Sequence, residues 1–154
     1  NLIRNSGIPF VILRMSNVYG PGCSPNYNSI VATLCHRAIK GLPLVINGDG
    51  QQCRDFVYIE DVVRAFMLAG FESLAGSAKI FNVSSGQMVS LKKIVKQISR
   101  FQKNTKVEFL MDKKNSEISY SCDPSKFSKK YGWRPRVSLA KGIEQNLSYF
   151  RGRK

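Results

Sequence analysis

The sequence is most distinctive at residues 48–58, which read Gly48-Asp49-Gly50-Gln51-Gln52-Cys53-Arg54-Asp55-Phe56-Val57-Tyr58. A Gly-Asp-Gly turn is followed by an Arg-Asp pair and then by an apolar segment typical of a β-strand. A hairpin tip would explain the turn, but it would not require an arginine immediately before a buried strand. The guanidinium of Arg54 is a rigid, permanently charged fork that suits a pyrophosphate. Both interpretations remain open at this point.

Strand and helix patterns alternate around this segment, which itself leads into a strand predicted at residues 56–59. Further strands are predicted at residues 10–13, 44–46, 80–83 and 107–110. Helices are predicted at residues 29–40, 62–74, 91–101, 124–132 and 139–150. The runs at 10–13 and 80–83 are continuous and apolar, which is typical of strands buried on both faces of a parallel sheet. The alternation predicts an α/β protein with some parallel pairing.

Several predicted helices begin at residues that favour helix starts. Asp61 stands directly before the second predicted helix. Ser90 and Ser138 are good N-caps for the third and the last helix, because a serine hydroxyl can accept an otherwise unpaired backbone N–H. Asp123 and Pro124 open the fourth helix, with the proline expected at its first position.

The chain of 154 residues has 24 Lys and Arg against 10 Asp and Glu, a net charge of +14. Of these basic residues, 17 lie after residue 91. Helical spacing puts most of them on outer faces, which predicts a solvated basic surface. The sequence does not favour a nucleic-acid partner, since it has no known nucleic-acid-binding pattern. No apolar run approaches the ~20 residues of a membrane span, so we expect no membrane association.

The cysteines give no sign of a metal site or a disulfide framework. Cys23, Cys35, Cys53 and Cys122 are widely separated, and His36 is the single histidine. A structural zinc site needs ligands clustered at short spacings. Isolated thiols predict a reduced, cytoplasmic protein without a metal.

Five strings in order resemble one known family. They lie at residues 14–21 (RMSNVYGP), 48–58, 81–86 (FNVSSG), 123–135 (DPSK, then YGWRP) and 138–150. Together they resemble the extended short-chain dehydrogenase/reductase family, the NAD-dependent epimerases and dehydratases that act on nucleotide sugars. The resemblance implies an α/β fold. It would consist of the late strands and helices of a Rossmann-type parallel sheet plus the small α/β substrate-binding domain.

Two family motifs do not occur in these 154 residues. Family members begin with a Gly-rich strand–turn–helix that holds the NAD pyrophosphate, and carry a catalytic Tyr-x-x-x-Lys just before a strand like the one at residues 10–13. No Gly-x-x-Gly-x-x-Gly occurs here, and no tyrosine is followed four residues later by lysine. We therefore expect residues 1–154 to be the C-terminal portion of such an enzyme, without the N-terminal dinucleotide-binding part, without a catalytic residue and without turnover. The intact enzyme is expected to use NAD, which this chain alone would not hold.

The resemblance assigns three neighbouring residues to the ligands. Asn17 is expected to bind the phosphates of the substrate. Met15 and Ser16 are expected to lie beside the nicotinamide of the cofactor. For Asn17 the alternative is a loop-forming asparagine that bonds its own backbone.

The strand at residues 45–47 and the second string are expected to bind the nucleotide. Val45 contributes backbone groups and Asn47 lies at the edge of the base, while Arg54 clamps the diphosphate. Relatives often place an aromatic ring at the position of Asn47. An asparagine does not stack in that way, so the identity of the base stays open.

Two further contacts are expected in the basic C-terminal part. Lys114 matches a family arginine that meets phosphate, and Glu117, three residues later, matches an acid that meets ribose. A solvated charge pair is the alternative. Trp133 is expected to pack in the core or near the surface rather than to contact a ligand.

The expected function is the nucleotide-diphosphate-sugar-binding portion of an NAD-dependent sugar epimerase/dehydratase, similar to UDP-glucose 4-epimerase. The intact enzyme would act through a 4-keto-sugar intermediate. The alternative is a non-catalytic nucleotide-sugar-binding or protein-interaction module. Strands with missing neighbours expose edges and apolar faces, which predicts self-association or pairing with the N-terminal half.

Overall fold

In a computed structural model of the protein, residues 10–27, 29–70, 79–110 and 119–153 are described. The strands in these ranges are β1 (Val11–Met15), β2 (Asn17–Tyr19), β3 (Leu44–Asn47), β4 (Cys53–Tyr58), β5 (Lys79–Val83), β6 (Met88–Ser90) and β7 (Val107–Leu110). The helices are α1 (Ile30–Ile39), α2 (Ile59–Gly70), α3 (Leu91–Phe101), α4 (Ser125–Tyr131) and α5 (Leu139–Arg151). The predicted α/β class is confirmed.

The described strands form three small sheets. Strands β1 and β5 pair in parallel, as do β3 and β7. The third sheet has the order β2–β4–β6, with β2 parallel and β6 antiparallel to β4. The predicted parallel pairing is therefore present in all three sheets.

Strand β4 lies between two hydrophobic cores. Side chains alternate between the two faces of a strand. Phe56 and Tyr58 belong to the core that also contains α1, α3 and α5. Val57, on the opposite face, belongs to the core with α2, Phe81 and Trp133. Trp133, expected in the core or near the surface, is buried in this second core.

The serine caps explain why two helices begin where the sequence predicts. The Ser90 hydroxyl accepts the Lys93 N–H at 3.3 Å at the start of α3. The Ser138 hydroxyl accepts the Lys141 N–H at 3.3 Å at the start of α5. Each bond satisfies a backbone donor that the helix itself leaves unpaired.

The Gly-Asp-Gly turn is not a hairpin tip, because β3 and β4 lie in different sheets. Gly48 and Gly50 have φ angles of 75° and 76°, a region that favours glycine. The Leu91 and Lys92 N–H groups donate to the carbonyls of Gln52 and Gly50 at 3.2 and 3.0 Å. The turn is thus attached to the first turn of α3 rather than closing a strand pair.

Two predicted helix starts are wrong by a few residues. Helix α2 begins at Ile59, so Asp61 lies inside its first turn and not before it. Helix α4 begins at Ser125, one residue after the predicted Pro124. There the Asp123 carboxylate accepts the N–H and hydroxyl of Ser125, both at 2.8 Å, and these bonds lower its pKa.

Strand β1 differs from the prediction in its burial. It is half-buried over Val11–Leu13 and exposed at Arg14 and Met15, whereas a strand buried on both faces was expected. Among the described strands it has β5 as its partner, on one edge. None of the helices in the described ranges combines the length and hydropathy needed to cross a bilayer.

Candidate functional site

A cavity of about 310 Å³ lies between β2, β3 and β4 and the first residues of α1 and α3. We call it the strand-edge cavity. Four residues that the sequence singled out lie on its wall: Asn17, Val45, Asn47 and Arg54. They come from three different strands, so the fold brings together residues that are up to 37 positions apart.

Arg54 is the only charged residue among the described residues that line this cavity. Its Nη1 donates to the Cys53 carbonyl at 3.0 Å. Its guanidinium carbon lies 5.3 Å from the ring centroid of Tyr120, within the range of a cation–π contact. The described wall of the cavity therefore includes a guanidinium group, which is suited to bind an anion.

Strand β3 presents a free backbone edge to the cavity. Leu44 donates its N–H to the carbonyl of Lys106, just before β7, at 2.8 Å, and Gly48 donates its N–H to the Leu110 carbonyl of β7 at 2.7 Å. In a parallel ladder the groups of alternate residues point in opposite directions, so those of Val45 and Asn47 point away from β7. Because β7 is the one partner of β3 among the described strands, the Val45 carbonyl and the Asn47 N–H form an adjacent acceptor and donor outside the ladder.

Two residues at this site were not predicted from the sequence. Gln52 lines the cavity and donates from Nε2 to the Asn47 carbonyl at 2.7 Å, which holds the end of β3. Tyr120 contacts Arg54. The sequence carried a weak signal for Tyr120, since it is the sole aromatic residue in the polar segment 111–122.

Asn17 is tied to another strand rather than to its own loop. Its Nδ2 donates to the Asp55 carbonyl on β4 at 2.9 Å. The alternative interpretation as an asparagine that bonds its own backbone therefore does not describe this contact. Binding of phosphate by Asn17 remains a prediction.

The predicted cofactor contacts do not line the strand-edge cavity. Met15, 42% exposed, ends β1, and Ser16 is buried beside it. The Ser16 N–H donates to the Val83 carbonyl at 3.1 Å, at the carboxyl end of the parallel β1–β5 pair. Ligands of open parallel sheets bind at this end. Lys114 and Glu117 lie outside the described residues.

Neither Tyr19, which lines the cavity, nor Tyr58, which packs against Tyr19, is suited to act as a base near neutral pH. Burial, together with Tyr58 and Asp61, raises the pKa of Tyr19 far above its usual value. Burial, with Glu60 and Asp61, raises the pKa of Tyr58 to about 12. Both hydroxyls therefore stay protonated. In the described ranges, no group of three metal-ligating side chains comes together.

Comparison with known proteins gives the family. Residues 1–84 match the family model of the NAD dependent epimerase/dehydratase family. The chain belongs to this family. The predicted membership of the extended short-chain dehydrogenases/reductases is confirmed.

Individual relatives agree with this assignment. The dTDP-glucose 4,6-dehydratase of Haemophilus influenzae is 26% identical over an alignment of 160 positions that covers 96% of this chain and 46% of that protein. The UDP-glucose 4-epimerase of Thermotoga maritima, solved with UDP-glucose, has a TM-score of 0.82 and 33% identity over 97% of this chain and 48% of its own. The UDP-glucuronic acid 4-epimerase of Bacillus cereus, solved with UDP-glucuronic acid and NAD, has a TM-score of 0.85 and 30% identity.

The B. cereus match covers 97% of this chain and 47% of that enzyme. The epimerase/dehydratase chain described here thus spans about half the length of these relatives. Its structural relatives are Rossmann-fold enzymes, and the family depends on NAD.

Proposed function

We propose that the chain is the C-terminal, nucleotide-sugar-binding portion of an NAD-dependent sugar epimerase or dehydratase of the UDP-glucose 4-epimerase type. One observation carries the proposal: Asn17, Arg54 and the free edge of β3 line one cavity whose described wall has a single charge, which is positive. A nucleoside diphosphate has both an anionic group and a hydrogen-bonding base, so it matches both features of the cavity.

Arg54 is the proposed diphosphate contact. A guanidinium presents several N–H donors in a plane and stays charged at every physiological pH. Its contact with the ring of Tyr120 restricts its position before a ligand binds. The Asn17 amide is the second proposed phosphate contact. Lys114 and Glu117 are proposed to meet phosphate and ribose.

The free edge of β3 supports binding of a uracil-type base. The Asn47 N–H can donate to a base carbonyl while the neighbouring Val45 carbonyl accepts an N–H. Uracil and thymine present a carbonyl next to an imide N–H, which is the complementary order. Cytosine presents an amino group next to an unprotonated ring nitrogen, which is the opposite order.

The described residues that suit contact with the dinucleotide lie on its nicotinamide side. Met15 and Ser16 lie at the carboxyl end of β1, which suits contact with a nicotinamide, whereas the sequence has no Gly-rich pyrophosphate motif. When bound in the intact enzyme, NAD supplies reversible oxidation at C4 of the sugar, which would give the 4-keto sugar. This chain would bind and orient the nucleoside diphosphate during that step.

An exposed apolar face supports pairing with a dinucleotide-binding half. On α2, Val63, Phe66 and Met67 are 53%, 52% and 57% exposed. Residues three and four apart share one face of a helix. We propose that this face and the half-exposed β1 are covered in the assembled enzyme. The covering surface would be that half, or a second copy of this chain. A chain that stays monomeric by light scattering at high concentration would argue against self-association.

Calorimetric titration with UDP tests the proposal. The Arg54→Ala variant should lose at least about tenfold in affinity, because a hydrogen bond to a charged group is worth roughly 1.5–3 kcal/mol. The affinity of Arg54→Lys for UDP should lie between those of wild type and Arg54→Ala, since an ammonium keeps the charge but lacks the planar set of donors. Arg100→Ala is the matched control, because Arg100 is exposed and does not line the cavity. Equal affinities of wild type and Arg54→Ala would refute the assignment.

A further inference from the structure

The carboxylate of Asp55 is completely buried, yet it accepts four hydrogen bonds. Its Oδ1 accepts the Ser16 hydroxyl at 3.1 Å, the Ser85 N–H at 2.9 Å and the Ser85 hydroxyl at 2.7 Å. Its Oδ2 accepts the Gly86 N–H at 2.9 Å. Burying a carboxylate costs several kcal/mol unless its oxygens are satisfied, and these neutral donors satisfy both of them.

These donors come from two connections of the fold. Ser16 is the single residue between β1 and β2. Ser85 and Gly86 lie between β5 and β6, and β6 pairs directly with Cys53–Asp55 of β4. One carboxylate thus joins the carboxyl end of the β1–β5 pair to the strand that carries Arg54.

Asp55 also contacts the site through its backbone. Its carbonyl accepts the Asn17 amide at 2.9 Å. Asp55 itself does not line the strand-edge cavity, because its side chain lies on the face of β4 opposite Arg54. It therefore contacts the residues next to the cavity without reaching a ligand there.

We propose that Asp55 is the positioning residue of the nucleotide-sugar site, an inference that rests on the proposed function. Its backbone carbonyl, which Asp55→Asn keeps, holds Asn17 at the start of β2. Its carboxylate binds Ser16 and acts through Arg54, whose strand it holds against β6. It thereby links the residues proposed to face the cofactor with those proposed to face the diphosphate.

The test is a thermodynamic cycle on UDP affinity. Asp55→Asn keeps the shape but places an amide N–H₂ against one of the donors. It should weaken UDP binding at least about tenfold in the wild-type background. If Asp55 acts through Arg54, the same change should weaken UDP binding less than about twofold in the Arg54→Ala background. The affinity for uridine, which has no phosphate, should change less than that for UDP.

Glu144→Gln is the matched control, because it also removes a carboxylate and lies on α5, half-exposed and away from the strand-edge cavity. Ser85→Ala keeps the backbone bond to Asp55 and provides a milder variant if Asp55→Asn does not fold. Ser85→Ala should also weaken UDP binding more in the wild-type background than in the Arg54→Ala background.

Three outcomes overturn the inference. UDP affinity unchanged in a folded Asp55→Asn chain, or in Ser85→Ala where Asp55→Asn does not fold, would refute the positioning role and leave the proposed function intact. An equal loss in the two backgrounds would show a general structural effect. Absence of UDP binding by the wild-type chain would overturn the proposed function together with this inference.

Discussion

Trp133 donates its indole N–H to the backbone carbonyl of Asp61 at 3.0 Å, although 72 positions separate them in the sequence. The buried Asp61 carboxylate accepts the N–H groups of Arg136, at 3.0 and 3.1 Å, and Val137, at 3.1 Å, and it forms an ion pair with Arg64. The first turn of α2 thus holds the connection between α4 and α5 at three of its residues.

Asp61→Asn should destabilise the chain by about 1–3 kcal/mol, because the amide would turn an N–H₂ group toward buried donors. Urea unfolding followed by Trp133 fluorescence measures this change. Glu60→Gln, one residue earlier and exposed, is the matched control and should stay within about 0.5 kcal/mol of wild type. Equal stability of the two variants would show that the carboxylate contributes no more than an exposed one.

Gly142→Ala should also destabilise the protein. A Cβ at this position would lie 2.7 Å from Cε2 of the Tyr19 ring and still closer to its hydroxyl. Tyr19 is buried between the Phe56 and Tyr58 rings, so overpacking should cost roughly 1–3 kcal/mol. At Gly70 a Cβ would meet nothing within 4 Å, so Gly70→Ala is the control and should be neutral or slightly stabilising. A Gly142→Ala chain as stable as this control would contradict the predicted clash.

Cys35 should be the least reactive of the four thiols. It is fully buried, and burial raises its pKa to about 12. A thiol-reactive dye should label it last in the native chain and rapidly in urea, because the thiolate is the reactive form. Cys53→Ala, which removes a half-buried thiol, should leave this slow phase unchanged. Rapid native labelling at Cys35 would contradict the prediction.

The raised pKa of Cys35 also predicts that the protein loses stability at alkaline pH. The folded-state pKa of Cys35 is above the ordinary value of 9.0, so the folded chain holds this proton more tightly than the unfolded chain. Its contribution to stability is complete below about pH 9 and declines as the pH rises toward 12. Urea unfolding at a series of pH values should show a smaller decline for Cys35→Ala than for wild type. Identical slopes would exclude Cys35 as a contributor.

The chain should bind UDP at least about tenfold more tightly than CDP. If the ribose and diphosphate hold cytosine in the same pose as uracil, the Asn47 N–H would face its amino group and the Val45 carbonyl would face its unprotonated ring nitrogen. Each unsatisfied polar pair of this kind costs about 1–3 kcal/mol. Parallel titrations measure the ratio, and UMP with CMP should give the same ratio because it depends on the base alone. Equal affinities for UDP and CDP would refute recognition of the base by the backbone groups of Val45 and Asn47.

Local signals predicted those parts of the fold that depend on local interactions. Ser90 and Ser138 cap their helices through bonds to residues three positions later, so α3 and α5 begin at the predicted residues. The short strands β2 and β6 were not predicted, because three residues carry no periodicity and their partner β4 is more than 30 positions away from each. The start of α2 was misplaced because the Asp61 carboxylate is bound by residues near the other end of the chain.

In the candidate site, too, local sequence patterns predicted some residues, while contacts between distant segments were not predicted. Arg54 and Asn17 were singled out because they stand in recognisable strings, and both line the strand-edge cavity. The contacts of Asp55 were not predicted, since its four donors are spread over residues 16–86 and become apparent only when β1, β4 and β5 are assembled. Gln52 was not predicted for a similar reason, because its contribution to the site is one hydrogen bond to the Asn47 carbonyl at the end of β3.

The turn between β3 and β4 is ordered by its own hydrogen bonds. The Asp49 carboxylate accepts the Gln51 N–H at 2.9 Å, and the carbonyls of Gly50 and Gln52 are held by α3. Fixing a backbone costs about 1–2 kcal/mol of conformational entropy per residue, and here this cost falls on folding rather than on binding. This turn would therefore already be ordered when a nucleotide binds beside it. The residence time of the nucleotide would depend on the contacts broken on departure and not on the opening of this turn.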